Sequence, residues 1–161
     1  MLARLYWASP VPLRMLAAPA YPPSAIPAAL ASLATVVTDS FALVMEARTG
    51  VPAKAAFAVA TLLQLSVDEL ADLLHTTTKT LRTYRDANKR LAPAASEQVL
   101  KLLALARQGG EVFGDAGAFR RWLGKPAFGL DNQAPLALLQ TSGGIDLVAE
   151  EVSRIAYGDF A

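Results

Sequence analysis

The chain has 161 residues, with 15 Lys+Arg against 14 Asp+Glu and a formal net charge of +1, so it suffices for one compact domain or two very small ones and has no polyelectrolyte tail. It holds no cysteine and a single histidine, His75. That excludes disulfides, thiolate zinc sites, cysteine nucleophiles and multi-histidine metal sites, and any Ser-His-Asp triad would have to pass through His75. Hydrophobic residues make up 53% of the chain and aromatics only 7%, an excess carried by alanine and leucine that favours helices over strands.

Residues 1–27 open apolar with Met1-Leu2-Ala3-Arg4-Leu5-Tyr6-Trp7, but Pro10, Pro12, Pro19, Pro22, Pro23 and Pro27 break the run that a secretory leader requires. They are read as a Pro/Ala-rich arm. No stretch approaches the ~18–20 apolar residues of a membrane span, so a cytoplasmic protein is expected. From Ala28 to Ala47, Leu30, Leu33, Val37, Phe41, Val44 and Met45 recur at helical spacing until Gly50 and Pro52 stop the run. A second helix is expected from Pro52 to Leu63. Ser66 followed by Glu69 forms a capping-box pattern opening a short helix, whose apolar face is Leu70, Leu73 and Leu74. Thr78 is expected to cap the next helix, which carries Leu81 and Tyr84, and Pro93 opens a longer one through Leu105.

Further along, Gly109-Gly110 is expected to interrupt or weaken the long helix. A short helix should span Ala116 to Leu123, ended by Gly124 and Pro126. Ala127 to Gln133 reads as a loop, Pro135 to Gln140 as a helical turn, and Ile145 to Tyr157 as a final amphipathic helix stopped by Gly158. No alternating β pattern of useful length and no internal repeat are present. The fold class is all-α. Charge divides unevenly: residues 1–60 and 61–107 each carry a net +2, residues 108–161 a net −3. A basic middle and an acidic end suggest two different partners.

The run from Asp68 to Arg85 holds the most informative local pattern. Ala71 permits the close approach of two short helices, and Leu70, Leu74, Leu81 and Tyr84 supply a shared miniature core. This spacing resembles the Xre-type helix-turn-helix. The resemblance implies that the second helix enters the DNA major groove. Thr77, Thr78, Lys79, Thr80, Arg82 and Thr83 are the candidate DNA contacts, with Lys89 and Arg90 adding backbone contacts: Lys and Arg donate to guanine, hydroxyls and helix-start N–H groups suit phosphates. His75 occupies the turn position often held by glycine. The competing reading is a surface helix pair with a solvated basic face.

Near the end of the chain, Phe113-Gly114-Asp115, Ala118-Phe119-Arg120-Arg121-Trp122-Leu123, Pro126, Leu130 and Ala134-Pro135-Leu136-Ala137-Leu138-Leu139 are followed by Ser142-Gly143-Gly144, Val148 and Ile155-Ala156-Tyr157-Gly158. In combination they resemble the toxin-binding domain of the Xre/MbcA/ParS antitoxin family. The resemblance covers roughly Leu62 to the C-terminus. Departures are Gly109-Gly110, where the family has good helix formers, Lys125 to Gly129 in place of an Asn-rich loop, and Asp131-Asn132-Gln133. The chain is read as a Pro/Ala-rich arm (1–27), a helix-turn-helix and dimerisation domain (28–108) and a toxin-binding domain (109–161); residues 1–40 fall outside the resemblance. The resemblance implies an antitoxin that pairs with a RES-domain toxin consuming NAD, obstructs the toxin's active site and represses its own promoter.

The candidate toxin contacts are Glu150, Glu151, Arg154, Tyr157, Gly158, Asp159, Phe160 and Ala161. A toxin site that binds a dinucleotide pyrophosphate is electropositive, so Glu150, Glu151, Asp159 and the carboxylate of Ala161 could complement its rim, and Tyr157 and Phe160 could fill a groove. Alternatively Tyr157 closes the final helix onto Trp122, and the glutamates form a solvated face. Trp122, Leu123, Leu136, Leu139, Val148 and Ile155 are assigned to the core. The helices at Ala28–Ala47 and Pro52–Leu63 are the expected dimer elements, which would set two recognition helices ~34 Å apart. No cofactor is implied, and an enzyme is disfavoured by the lone histidine and the lack of a Gly-rich phosphate loop. A free-standing helix-turn-helix regulator without a toxin is the alternative.

Overall fold

The computed structural model describes residues 27–158. Its helices run in the order α1 (Ala28–Ala31), α2 (Leu33–Val36), α3 (Ser40–Thr49), α4 (Ala53–Leu62), α5 (Val67–Leu73), α6 (Thr78–Asp86), α7 (Pro93–Phe113), α8 (Ala116–Leu123), a 3-10 turn (Phe128–Leu130), α9 (Pro135–Leu138) and α10 (Ser142–Ala156). Two isolated bridges, Pro52 with Arg90 and Ala127 with Gln133, are the extended pairings found among the described residues. The chain is all-α, as its composition and periodicity indicated. The expectations placed on residues 1–26 and on Asp159, Phe160 and Ala161 lie outside the described residues.

The axis of the fold is α7. Val99, Leu100, Leu102, Leu103, Leu105 and Ala106 are each at most 1% exposed. These positions ring most of the helix rather than one stripe, so it must be covered on several sides. Accordingly α2, α3 and α4 pack against it from the N-terminal part, and α8 and α10 from the C-terminal part.

Three expectations are corrected. The helix expected over Ala28–Ala47 is broken into α1, α2 and α3. The hydroxyls of Thr35 and Thr38 donate to the carbonyls of Ser32 (3.3 Å) and Thr35 (2.7 Å), competing with the helical ladder. Asp39 then restarts the helix by accepting from the Phe41 N–H at 2.9 Å. As a dimer element, the helix at Pro52–Leu63 is excluded as a free surface. Ala53, Ala55, Ala56, Val59, Ala60 and Leu62 are buried within the chain, and α4 packs on α1, α5, α6 and α7.

The third correction concerns Gly109-Gly110, which does not interrupt α7. Both glycines are buried, and a Cβ at Gly109 would run into the ring of Phe119 from α8. Helix propensity is sacrificed by about 1 kcal/mol to let an aromatic ring lie directly on the backbone. Phe119 is itself 1% exposed and stacks with Phe113 and Trp122 at centroid distances of 5.4 and 5.9 Å.

Gly109→Ala should therefore destabilise the protein by about 1–3 kcal/mol despite alanine's better helix propensity. Gly143→Ala, in α10 with no heavy atom within 4 Å of the new methyl group, should stabilise it by up to about 1 kcal/mol. Denaturant midpoints of the two variants test this, and a stabilised Gly109→Ala would contradict the packing.

Candidate functional site

The helix-turn-helix is built from local capping. Ser66 Oγ accepts from the Glu69 N–H at 3.1 Å while Glu69 Oε2 accepts from the Ser66 N–H at 2.8 Å, which completes the capping box. Leu70, Ala71, Leu73, Leu74 and Leu81 are buried, and Tyr84 is half-buried against them. His75 makes the turn with φ +53°, a left-handed conformation that costs a non-glycine residue about 1–2 kcal/mol. Its ring is held in compensation: Nε2 donates to the Gln140 carbonyl at 2.7 Å.

The cap of α6 is Thr77, not Thr78. Thr77 Oγ1 accepts from the Thr80 N–H at 3.1 Å and pairs with the Thr80 hydroxyl at 2.9 Å. Turning the helix by one residue leaves Thr78 half-buried and Thr77, Lys79, Thr80, Arg82 and Thr83 exposed. Lys79, Arg82, Thr83 and Asp86 follow i, i+3, i+4, i+7 spacing and share one outward face. Arg85 does not join them: its guanidinium lies 4.7 Å over the Phe57 ring and pairs with Asp86 at 2.9 Å, fastening α6 to α4. Lys89 and Arg90, both exposed, lie just past α6. The ammonium of Lys89 sits 5.3 Å from the Tyr84 ring centroid, and Arg90 donates to the Gly50 carbonyl.

The second group of candidate residues lies on α10, which Thr141 opens by accepting from the Gly144 N–H at 3.0 Å, three residues before the expected start. Ile145, Val148 and Val152 are buried. Leu147, Glu150, Arg154 and Tyr157 fall at i, i+3, i+7 and i+10 on the opposite side, with Leu147 50% and Tyr157 88% exposed. Tyr157 does not close onto Trp122, which is occupied by Phe113 at 5.3 Å and Phe119. Gly158 stops the helix at φ +70°. The two glutamates separate. Glu150 is exposed, whereas the Glu151 side chain is only 13% exposed, pairs with Arg154 at 3.1 Å and has its carboxylate against Gly129.

That last contact exposes a residue the sequence reading passed over. Any Cβ at residue 129 would collide with the Glu151 carboxylate, so glycine lets the 3-10 turn lie directly on α10. The turn then holds Phe128 82% exposed, next to the glycine that lies against Glu151 of α10. Its only sequence signal was an aromatic residue before a glycine inside an apparent loop. Of the residues assigned to the core, Leu123, Leu139 and Val148 are fully buried, and Trp122, Leu136 and Ile155 are half-buried.

Polar contacts join the two groups of residues. Gln98, buried on α7, donates through Nε2 to the carbonyls of Leu73 (3.2 Å) and Gln140 (2.9 Å). Arg120 of α8 pairs with Glu69 at 2.6 Å, and Lys101 of α7 with Asp146 at 2.7 Å. Among the described residues no group of three or more His, Cys, Asp or Glu could hold a metal ion, and no helix is long and apolar enough to cross a membrane.

Replacing Gln98 by methionine keeps the volume but removes both donors, and should cost about 1–3 kcal/mol in denaturant unfolding. An unchanged midpoint would show that the two carbonyls find other partners.

A search of curated proteins finds no match to the chain. Residues 42–104 match the antitoxin Xre-like helix-turn-helix domain, and residues 108–158 match the antitoxin Xre/MbcA/ParS C-terminal toxin-binding domain, both non-enzymatic families. With the turn at His75, the outward face of α6 and the α8–α10 unit falling within those spans, the chain belongs to the Xre/MbcA/ParS family of antitoxins.

Proposed function

We propose that this antitoxin neutralises a RES-domain, NAD-consuming toxin by covering its active-site entrance, and that it represses its own promoter through α6. What carries the reading is the presence on one chain of two outward faces of different chemistry. The first is cationic and hydroxyl-rich, with Lys79, Thr80, Arg82 and Thr83 on a capped helix suited to base edges and phosphates. The second presents Leu147, Glu150, Arg154 and Tyr157, with Phe128 exposed on the 3-10 turn that packs on α10. Exposed aromatics of this kind are common anchors of protein interfaces, and apolar side chains left in water favour a partner. In this reading Glu150, with Asp159 and Ala161 further on, meets the positive rim of a pyrophosphate site, and Phe160 enters the groove. Glu151 orients Arg154 and the Phe128 turn. The protein works in the cytoplasm.

We also infer a homodimer through α3. Phe41, Val44 and Met45, at i, i+3 and i+4, are 73%, 50% and 44% exposed and form an apolar face without a partner among the described residues. It is what remains of the surface expected for dimerisation once α4 is buried.

Each face has its own test. Lys79→Ala and Arg82→Ala should each weaken binding to the promoter duplex by about 1–3 kcal/mol per lost base contact and leave co-purification with the toxin intact. Phe128→Ala and Tyr157→Ala should do the reverse, costing about 2 kcal/mol or more in toxin binding if they are anchors. Equal damage to both activities by any one substitution would count against separate faces. A chain that purifies alone and binds its promoter, with no complex formed on co-expression with a RES-type neighbour, would favour the free-standing regulator. For the dimer, Met45→Glu should give a monomer in sedimentation with helicity retained; a persisting dimer would exclude α3.

A further inference from the structure

The helix α6 is nine residues long and has one fully buried side chain, Leu81. Tyr84 and Arg85 follow at i+3 and i+4, so these three side chains form its inward edge. Tyr84 is half-buried against the core. Arg85 holds the flank toward α4: its guanidinium lies 4.7 Å over the ring of Phe57, and its Nε donates to Asp86 Oδ1 at 2.9 Å. Phe57 packs in turn against the core. Backbone bonds fasten the chain on either side of α6, from the Thr76 N–H to the Ala71 carbonyl at 2.9 Å and from the Ala53 N–H to the Lys89 carbonyl at 3.0 Å. These fix where the helix starts and ends. Its rotation about its own axis rests on the inward side chains.

We propose that Arg85 is a positioning residue for base reading by α6: stacked on Phe57, it sets the roll at which Lys79, Arg82 and Thr83 meet the groove, and it does not itself touch DNA. The inference rests on the DNA-binding reading above and extends it to Phe57, which lies outside the recognition helix. A roll of ~10° carries a side-chain atom ~6 Å from the helix axis through about 1 Å. Groups that read a ligand by hydrogen-bond geometry tolerate about 0.5 Å, so such a roll breaks a bidentate pair to a base edge. A phosphate contact is held by charge and survives it. The stacked pair therefore governs selectivity and leaves sequence-independent affinity alone. A planar guanidinium suits this task because it lies flat on the ring, which a compact ammonium cannot do.

The test is a salt titration of the full chain on two duplexes, the fragment upstream of its own reading frame and a scrambled fragment of equal length. Phe57→Leu and Arg85→Lys keep the net charge and should each lower the promoter-to-scrambled affinity ratio by about two- to five-fold, the Boltzmann weight of one exposed cation–π contact. Affinity for the scrambled duplex and both salt slopes should stay at wild-type values. The double variant should be no less selective than Phe57→Leu alone, because both changes remove the same contact. Phe57→Tyr keeps the ring and should keep the wild-type ratio. A wild-type ratio in Phe57→Leu would overturn the proposal and leave the DNA-binding reading standing. So would an Arg85→Ala variant that binds both duplexes more weakly with slopes lowered by about 0.9, since that is the mark of a direct phosphate contact. Equal weakening on both duplexes at unchanged slope, together with a lowered melting temperature, would make the pair merely structural and overturn it equally. No salt-dependent DNA binding by the wild-type chain would overturn the underlying reading as well.

Discussion

The ring of Phe119 lies directly on the backbone of Gly109 and sets how closely α8 approaches α7. A long apolar helix buries more surface than its own domain can cover, and α7 solves the excess by serving both domains at once. It packs against α2, α3 and α4 on one side of the chain and α8 and α10 on the other, with α10 lying along it from Glu97 to Gln108. For α8 to come close enough, one position on α7 must lack a side chain. Phe119 fills that gap, and Phe113 and Trp122 close around it with centroids 5.3–5.9 Å apart. This aromatic cluster seats α8, while α10 docks along α7 through its own buried face and the polar contacts of Lys101 and Gln108.

Apolar packing sets the distance between the halves, and polar contacts set their register. The Gln140 carbonyl, one residue before the cap of α10, accepts from both His75 and Gln98. The helix-turn-helix turn and the start of α10 are therefore tied through a single backbone group. This explains why a histidine is tolerated at a left-handed position where glycine would be unstrained: the ring spends its hydrogen bond on the neighbouring domain. Arg120 with Glu69 and Lys101 with Asp146 add charge pairs along the same seam. Because Glu69 also completes the capping box of α5, the joint and the local fold share a side chain.

The same economy governs the charged residues. Bases that look equivalent along Lys79 to Arg90 differ in what they touch. Arg85 is consumed by Phe57 and Asp86, whereas Lys79 and Arg82 are exposed, Lys89 lies over the Tyr84 ring and Arg90 is held by the Gly50 carbonyl. On α10, adjacent glutamates part company in the same way, one solvated and one packed under a glycine turn.

Periodicity, capping and composition were enough to read the helical class, the Ser66–Glu69 capping box, the span of α8 and the outward positions of α6, because each depends on neighbours within a few residues along the chain. The family resemblance was legible for the same reason, in the order of short motifs. Tertiary structure alone decided the rest. It kept α7 continuous through two glycines, buried α4, split the first expected helix, exposed Phe128 and turned Glu151 inward. Apart from the split, which local threonine hydrogen bonds and the Asp39 cap produce, each of those outcomes depends on packing against residues distant in sequence, which a linear reading cannot weigh.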